Sequence, residues 1–131
     1  MTAVEIPVTE AEASVMEVLW ESSPRSSEEV VAVVAPATGW AEPTIKTLLN
    51  RLLNKGAISA ERDGRRYLYS PVLTREAWVQ QQSEGLLARL FGGRVAPLVA
   101  HFSERGKLSA ADIAELKRLV SELEEGEGDG R

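Results

Sequence analysis

Between Thr9 and Gly56 the apolar residues recur at helical spacing in three separate stretches. In the first, Val15, Met16, Leu19 and Trp20 fall on one face of a helix expected over residues 10–22. Thr9 and Glu12 have the spacing of a capping box at its start, and Pro24 closes it. Ser26 and Glu29 repeat that spacing ahead of Val30, Val31, Val33 and Val34. Valine favours strands, so helical and extended readings compete there. The capping residues and Pro36 favour a short helix over residues 27–35. The third stretch is the most regular. Ile45, Leu48, Leu49, Leu52 and Leu53 form a continuous apolar stripe, with Pro43 in the first turn and Gly56 just past the end. It predicts a helix over residues 42–55. Its other face carries Thr44, Lys46, Thr47, Asn50, Arg51 and Asn54, with no acid after Glu42.

After Gly56 the period shortens. Ile58 to Arg62 reads as a strand, Asp63-Gly64 as a turn, and Arg66 to Ser70 as a second strand closed by Pro71. The result is a hairpin with Arg62, Arg65 and Arg66 around its tip. Three helices followed by a basic hairpin is the order of a winged helix, with the third helix in the major groove and the hairpin as the wing. Thr44, Thr47 and Asn50 have the size and polarity to reach base edges or phosphates; Lys46 and Arg51 suit either contact. Arg51 has a second reading, as an ion-pair partner for an acid on the first or second helix. Trp20, Trp40, Tyr67 and Tyr69 are expected in the core.

Beyond residue 73 the pattern is helical again. Thr74 caps a helix to about Phe91, whose apolar residues include Leu86, Leu90 and Phe91. Gly92-Gly93 breaks it, and a short helix over 94–103 presents Leu98, Val99 and Phe102. Ser109 and Asp112 cap a last helix in which Ile113, Leu116, Val120 and Leu123 repeat at spacings of three, four and three. That spacing suits a seam between two chains and equally an ordinary amphipathic helix. The fold class is therefore mainly α with a small β-hairpin. We expect a winged-helix domain over residues 1–72, a helical dimerisation domain over 73–125, and a disordered glycine and acid tail over 126–131.

Charge changes the picture once it is divided along the chain. The net charge is −5. Residues 1–41 hold seven acids and one base, whereas residues 42–72 hold six bases and three acids. Binding to DNA depends on local positive charge near phosphates, so the basic stretch is the expected contact. The acidic N-terminal segment supports a rival reading, a winged helix that binds another protein. There is no cysteine, which removes disulfides and thiolate sites. His101 is the single histidine, and no metal, cofactor or catalytic constellation is expected. No apolar run approaches the roughly 20 residues that cross a bilayer, and no signal segment opens the chain, so a cytoplasmic location is expected.

These residues resemble the penicillinase-repressor (BlaI/MecI) family, which has copper-responsive relatives. The resemblance rests on Glu12, Val15, Met16, Leu19 and Trp20, on Trp40, on the run from Thr44 to Gly56, and on Tyr67-Leu68-Tyr69-Ser70-Pro71. It covers residues 9–123. It implies a homodimeric repressor that binds a palindromic double-stranded operator through its N-terminal domains. It also implies induction by a membrane-bound metalloprotease sensor, through cleavage at an Asn–Phe bond in the dimerisation domain. The matching bond here is His101-Phe102, with His where the family has Asn. The copper-responsive branch senses metal through a C-terminal cysteine motif, which this chain lacks.

Overall fold

A computed structural model describes the backbone of residues 6–129. The elements run α1 (Glu10–Glu21), β1 (Arg25–Ser26), α2 (Ser27–Thr38), α3 (Glu42–Lys55), β2 (Ile58–Asp63), β3 (Arg66–Pro71), α4 (Arg75–Phe91), α5 (Val95–Glu104) and α6 (Ala110–Asp129). They fall into two compact units, Met1–Gln82 and Ser83–Arg131.

Both capping boxes expected in the first unit form. The Thr9 hydroxyl accepts from the Glu12 N–H at 3.1 Å, and Glu12 accepts in return from the Thr9 N–H at 2.9 Å. Ser26 and Glu29 do the same at the start of α2, at 3.2 and 3.0 Å. Each box satisfies two N–H groups that the helix ladder leaves open.

The core of the first unit gathers Val15, Met16 and Leu19 from α1, Val30 and Val34 from α2, and Ile45, Leu48, Leu49 and Leu52 from α3. Ala57, Ile58 and Leu73 close it from the sheet side. The stripe read from α3 is therefore the face that anchors it. Each fully buried aliphatic side chain contributes about 1.5–3 kcal/mol relative to exposure. Trp20, Trp40, Tyr69 and Trp78 pack against this core partly buried, and the Trp20 and Trp78 rings lie 5.3 Å apart. Trp78 thus belongs with the first unit, which extends past residue 72 to Gln82.

The sheet order is β1-β3-β2, all antiparallel. Ile58 faces Pro71 at one end of the hairpin and Asp63 faces Arg66 at the other. The two-residue turn between them is Gly64-Arg65, with Gly64 at φ 65°. A positive φ at the first central residue suits a hairpin turn that follows the strand twist, and glycine adopts it without strain.

Three expectations are corrected and one element is new. Helix α2 does not stop at residue 35 but runs through Pro36 to Thr38. Pro36 loses one ladder bond, but the turn is held by the Thr38 hydroxyl donating to the Val34 carbonyl and the Gly39 N–H donating to the Ala35 carbonyl, both at 2.8 Å. Tyr67 is not core: it is 48% exposed, because β3 carries it out along the wing beyond the helices. Strand β1 was not foreseen. Helix α6 continues through Gly126 to Asp129, where a disordered tail was expected; residues 130 and 131 lie outside the described residues.

The second unit is built from the rest of α4 with α5 and α6. Thr74 caps α4 through its hydroxyl, which accepts from the Ala77 N–H at 3.1 Å. Ser109 and Asp112 form the capping box of α6, at 3.0 and 3.3 Å. Among the described residues of this unit not one side chain is buried.

Candidate nucleic-acid interface

Helix α3 is positioned by its buried stripe, and everything opposite that stripe is exposed. Thr44, Lys46, Thr47, Asn50, Arg51 and Asn54 all face solvent. The helix starts at Ala41 without a side-chain cap and has Pro43 in its first turn, so no neighbouring side chain crowds its N-terminal end through a cap. It ends at Gly56, whose φ of 81° lets the chain turn sharply into β2. That turn brings the wing directly after the polar helix.

The polar face is not equally available along its length. Thr47 donates its hydroxyl back to the Pro43 carbonyl at 2.9 Å, leaving its oxygen lone pairs to accept. Lys46 lies 3.8 Å from Glu42 across one exposed turn. Such a pair is weak, so the ammonium is easily drawn to a phosphate. Arg51 has no ion pair among the described residues, so the alternative pairing with α1 or α2 is not made. Asn50 and Asn54 add amide groups with both donors and acceptors.

On the wing, Arg62, Arg65 and Arg66 are exposed around the turn. Arg62 donates to the Gly64 carbonyl at 3.1 Å, and its guanidinium sits 5.8 Å from the centre of the Tyr67 ring. An exposed contact of this kind favours that orientation by about 0.5–1 kcal/mol. Arg66 lies 3.5 Å from Asp63. Arg65 projects from the turn itself. Thr44, Lys46, Thr47, Asn50 and Arg51 on α3 and Arg62, Arg65 and Arg66 on the wing are all exposed, and so are Asn54 on α3 and Tyr67 on the wing. The alternation of the strand gave no sign that Tyr67 lies beyond the core.

Lys55, counted with the basic stretch, points elsewhere. Its ammonium donates to Glu12 at 2.5 Å and to the Pro7 carbonyl at 2.9 Å. Burial pushes the Glu12 carboxyl up. The Lys55 hydrogen bond, the Thr9 N–H, the Lys55 charge and the Thr9 hydroxyl outweigh it, and the carboxyl titrates below its ordinary range. Glu29 is also held low, by the Ser26 N–H and hydroxyl first and then by the charges of Arg66 and Arg25.

In the second unit the expected apolar contact residues remain uncovered. Leu86, Phe91, Leu98 and Leu116 are half-buried, while Leu90, Phe102, Ile113, Val120 and Leu123 are exposed, Leu123 to 69%. Val99, Leu108, Ile113, Leu116 and Val120 line an open apolar groove. His101 and Phe102 lie inside α5, with the His101 ring 5.3 Å from Phe102 and 6.1 Å from Phe91. No helix among the described residues is long and apolar enough to cross a membrane.

Comparison with known proteins agrees with this geometry. The penicillinase repressor profile matches residues 8–122. The penicillinase repressor of Bacillus licheniformis is 31% identical over 115 residues, covering 88% of this chain and 90% of that protein. The methicillin resistance regulatory protein MecI of Staphylococcus aureus is 25% identical over 114 residues, covering 87% and 93%. Among solved structures, the DNA-binding domain of the repressor BlaI superposes with a TM-score of 0.52 at 33% identity, covering 57% of this chain and 93% of that domain. Monomeric B. licheniformis BlaI in complex with the blaP half-operator gives 0.50 at 34%, covering 56% and 90%. The winged helix, the polar outer face of α3 and these matches together place the chain in the penicillinase-repressor family of DNA-binding transcriptional repressors.

Proposed function

We propose that this repressor works in the cytoplasm as a homodimer on a two-fold operator, each protomer laying α3 in a major groove with its wing against the flanking backbone. The observation that carries the reading is the division of α3, with its apolar stripe buried and its polar face exposed, followed in the chain by a wing with three exposed arginines. A half-operator in complex with a similar protein, BlaI, supports the DNA partner. Phosphate contacts from Lys46 and the wing would position the domain, and Thr44, Thr47, Asn50 and Arg51 would read base edges.

The dimer reading rests on the second unit. Three helices with no buried side chain among the described residues do not form a core alone, and a second copy would cover the groove and the seam from Ile113 to Leu123. Two linked half-sites then bind far more tightly than one.

Release by a membrane-bound metalloprotease sensor would act at His101-Phe102. Proteases take an extended substrate, so α5 must unwind locally before that bond is cut. Mass spectrometry of the protein from induced cells tests this; an intact chain after induction would rule out proteolytic release. The DNA reading is tested by selecting bound genomic fragments at near-physiological salt. Enrichment of one palindrome is expected. Retention without sequence preference, or none, would instead favour a protein-binding role.

A further inference from the structure

We propose that Lys55 is a positioning residue, which ties the C-terminal end of α3 to the first turn of α1 through buried Glu12 and makes no contact with DNA itself. The inference rests on the DNA-binding reading of α3.

Apolar burial is non-directional: the packed stripe sets which face of α3 is buried, and a directional bond at the helix end adds a separate restraint on slide and rotation there. A charge-assisted hydrogen bond is directional and short. Glu12 is 1% exposed, and the Lys55 ammonium reaches it at 2.5 Å. The same ammonium donates to the Pro7 carbonyl at 2.9 Å, so two fixed acceptors hold it. Glu12 is in turn fixed by the Thr9 N–H at 2.9 Å, which makes the capping box of α1 the anchor. The tether is anchored across 43 residues of sequence. Arg51 lies one turn before Lys55 and Asn54 immediately before it, so a slip of this end would move both relative to base edges. A lysine already donating into the protein interior is a poor phosphate contact, because leaving would strand a buried carboxylate.

The test compares wild type, Lys55→Met and the double variant Glu12→Gln/Lys55→Met on two duplexes, the palindrome selected from genomic fragments and a scrambled version. The double variant removes the stranded charge, and glutamine still serves the capping box. Both variants should bind the palindrome about tenfold more weakly, the worth of one well-made base contact. On the scrambled duplex the loss should stay under about twofold, with an unchanged salt slope. Equal losses on both duplexes with the slope reduced by about one would make Lys55 a phosphate contact and overturn the proposal. Unchanged affinity on both would overturn it as well. A wild type that binds neither duplex would overturn the DNA reading alone. Amide exchange then still judges the tether: the last turn of α3 should exchange faster in the double variant, and wild-type rates there would refute it.

Discussion

The indole N–H of Trp20 donates to the Leu73 carbonyl at 2.8 Å, joining α1 to the segment that leaves the wing 53 residues later. Leu73 is buried, so its carbonyl has little access to water once this donor is gone. Trp20→Phe keeps an aromatic ring beside Trp78 but removes the donor and part of the packed indole. The first unit should lose about 1–3 kcal/mol for the unsatisfied buried acceptor, with the lost packing adding to it. A urea midpoint equal to that of wild type would show that the bond contributes nothing.

Glu42 lies in the first turn of the expected recognition helix, within 3.8 Å of Lys46. Glu42→Gln should tighten binding about two- to threefold on specific and random duplexes alike, by freeing Lys46 and removing a repulsive charge. Weaker binding would mean that Glu42 itself reads a base.

Arg51 is exposed and makes no ion pair among the described residues. Arg51→Ala should either lower the salt slope by about one or relax preference at one operator position. Titrations at several salt concentrations and a panel of operator substitutions distinguish the two. If slope and preference both stay as in wild type, Arg51 lies outside the interface.

Leu116 lines the groove of the second unit and belongs to the α6 seam. Leu116→Glu places a charge where a partner's apolar face is expected. Sedimentation should then report monomers, and operator affinity should fall as each half-site binds alone. A surviving dimer would move the interface to another surface.

Acid should destabilise the first unit through Glu12. Its folded pKa is depressed, so its contribution is complete above the ordinary value of 4.5 and is lost as pH falls through the lower folded value. Glu12→Gln should flatten the fall of stability below about pH 4.5 relative to wild type. Parallel stability curves for the two proteins would assign acid lability to other carboxylates.

Much of this architecture was legible in the order of the residues, and the rest was hidden for physical reasons. Helix α3 is found at its expected bounds because a stripe, an early proline and a following glycine agree on one answer. The three capping boxes were legible because their partners are three residues apart. Strand β1 was invisible: two residues have no periodicity, and Arg25 and Ser26 become a strand only by pairing with Tyr69 and Leu68. The end of α2 lies beyond its expected bound because a proline in the last turn removes only its own N–H bond, while Thr38 and Gly39 still bind the Val34 and Ala35 carbonyls. Tyr67 has the same alternation as Tyr69, and only the reach of the wing past the helices separates them. Lys55 read as one more cation of the basic stretch, since its acceptors are 43 and 48 residues away.

A C-terminal unit in which not one described side chain is buried has a consequence for abundance. If a second copy supplies the missing interior, the stability of α5 and α6 depends on how many chains the cell contains. Newly made or diluted chains would expose these helices to general proteases, while paired chains would be protected. Dilution by growth would then clear the repressor at an accelerating rate, so that once its level begins to fall the genes it controls would open abruptly.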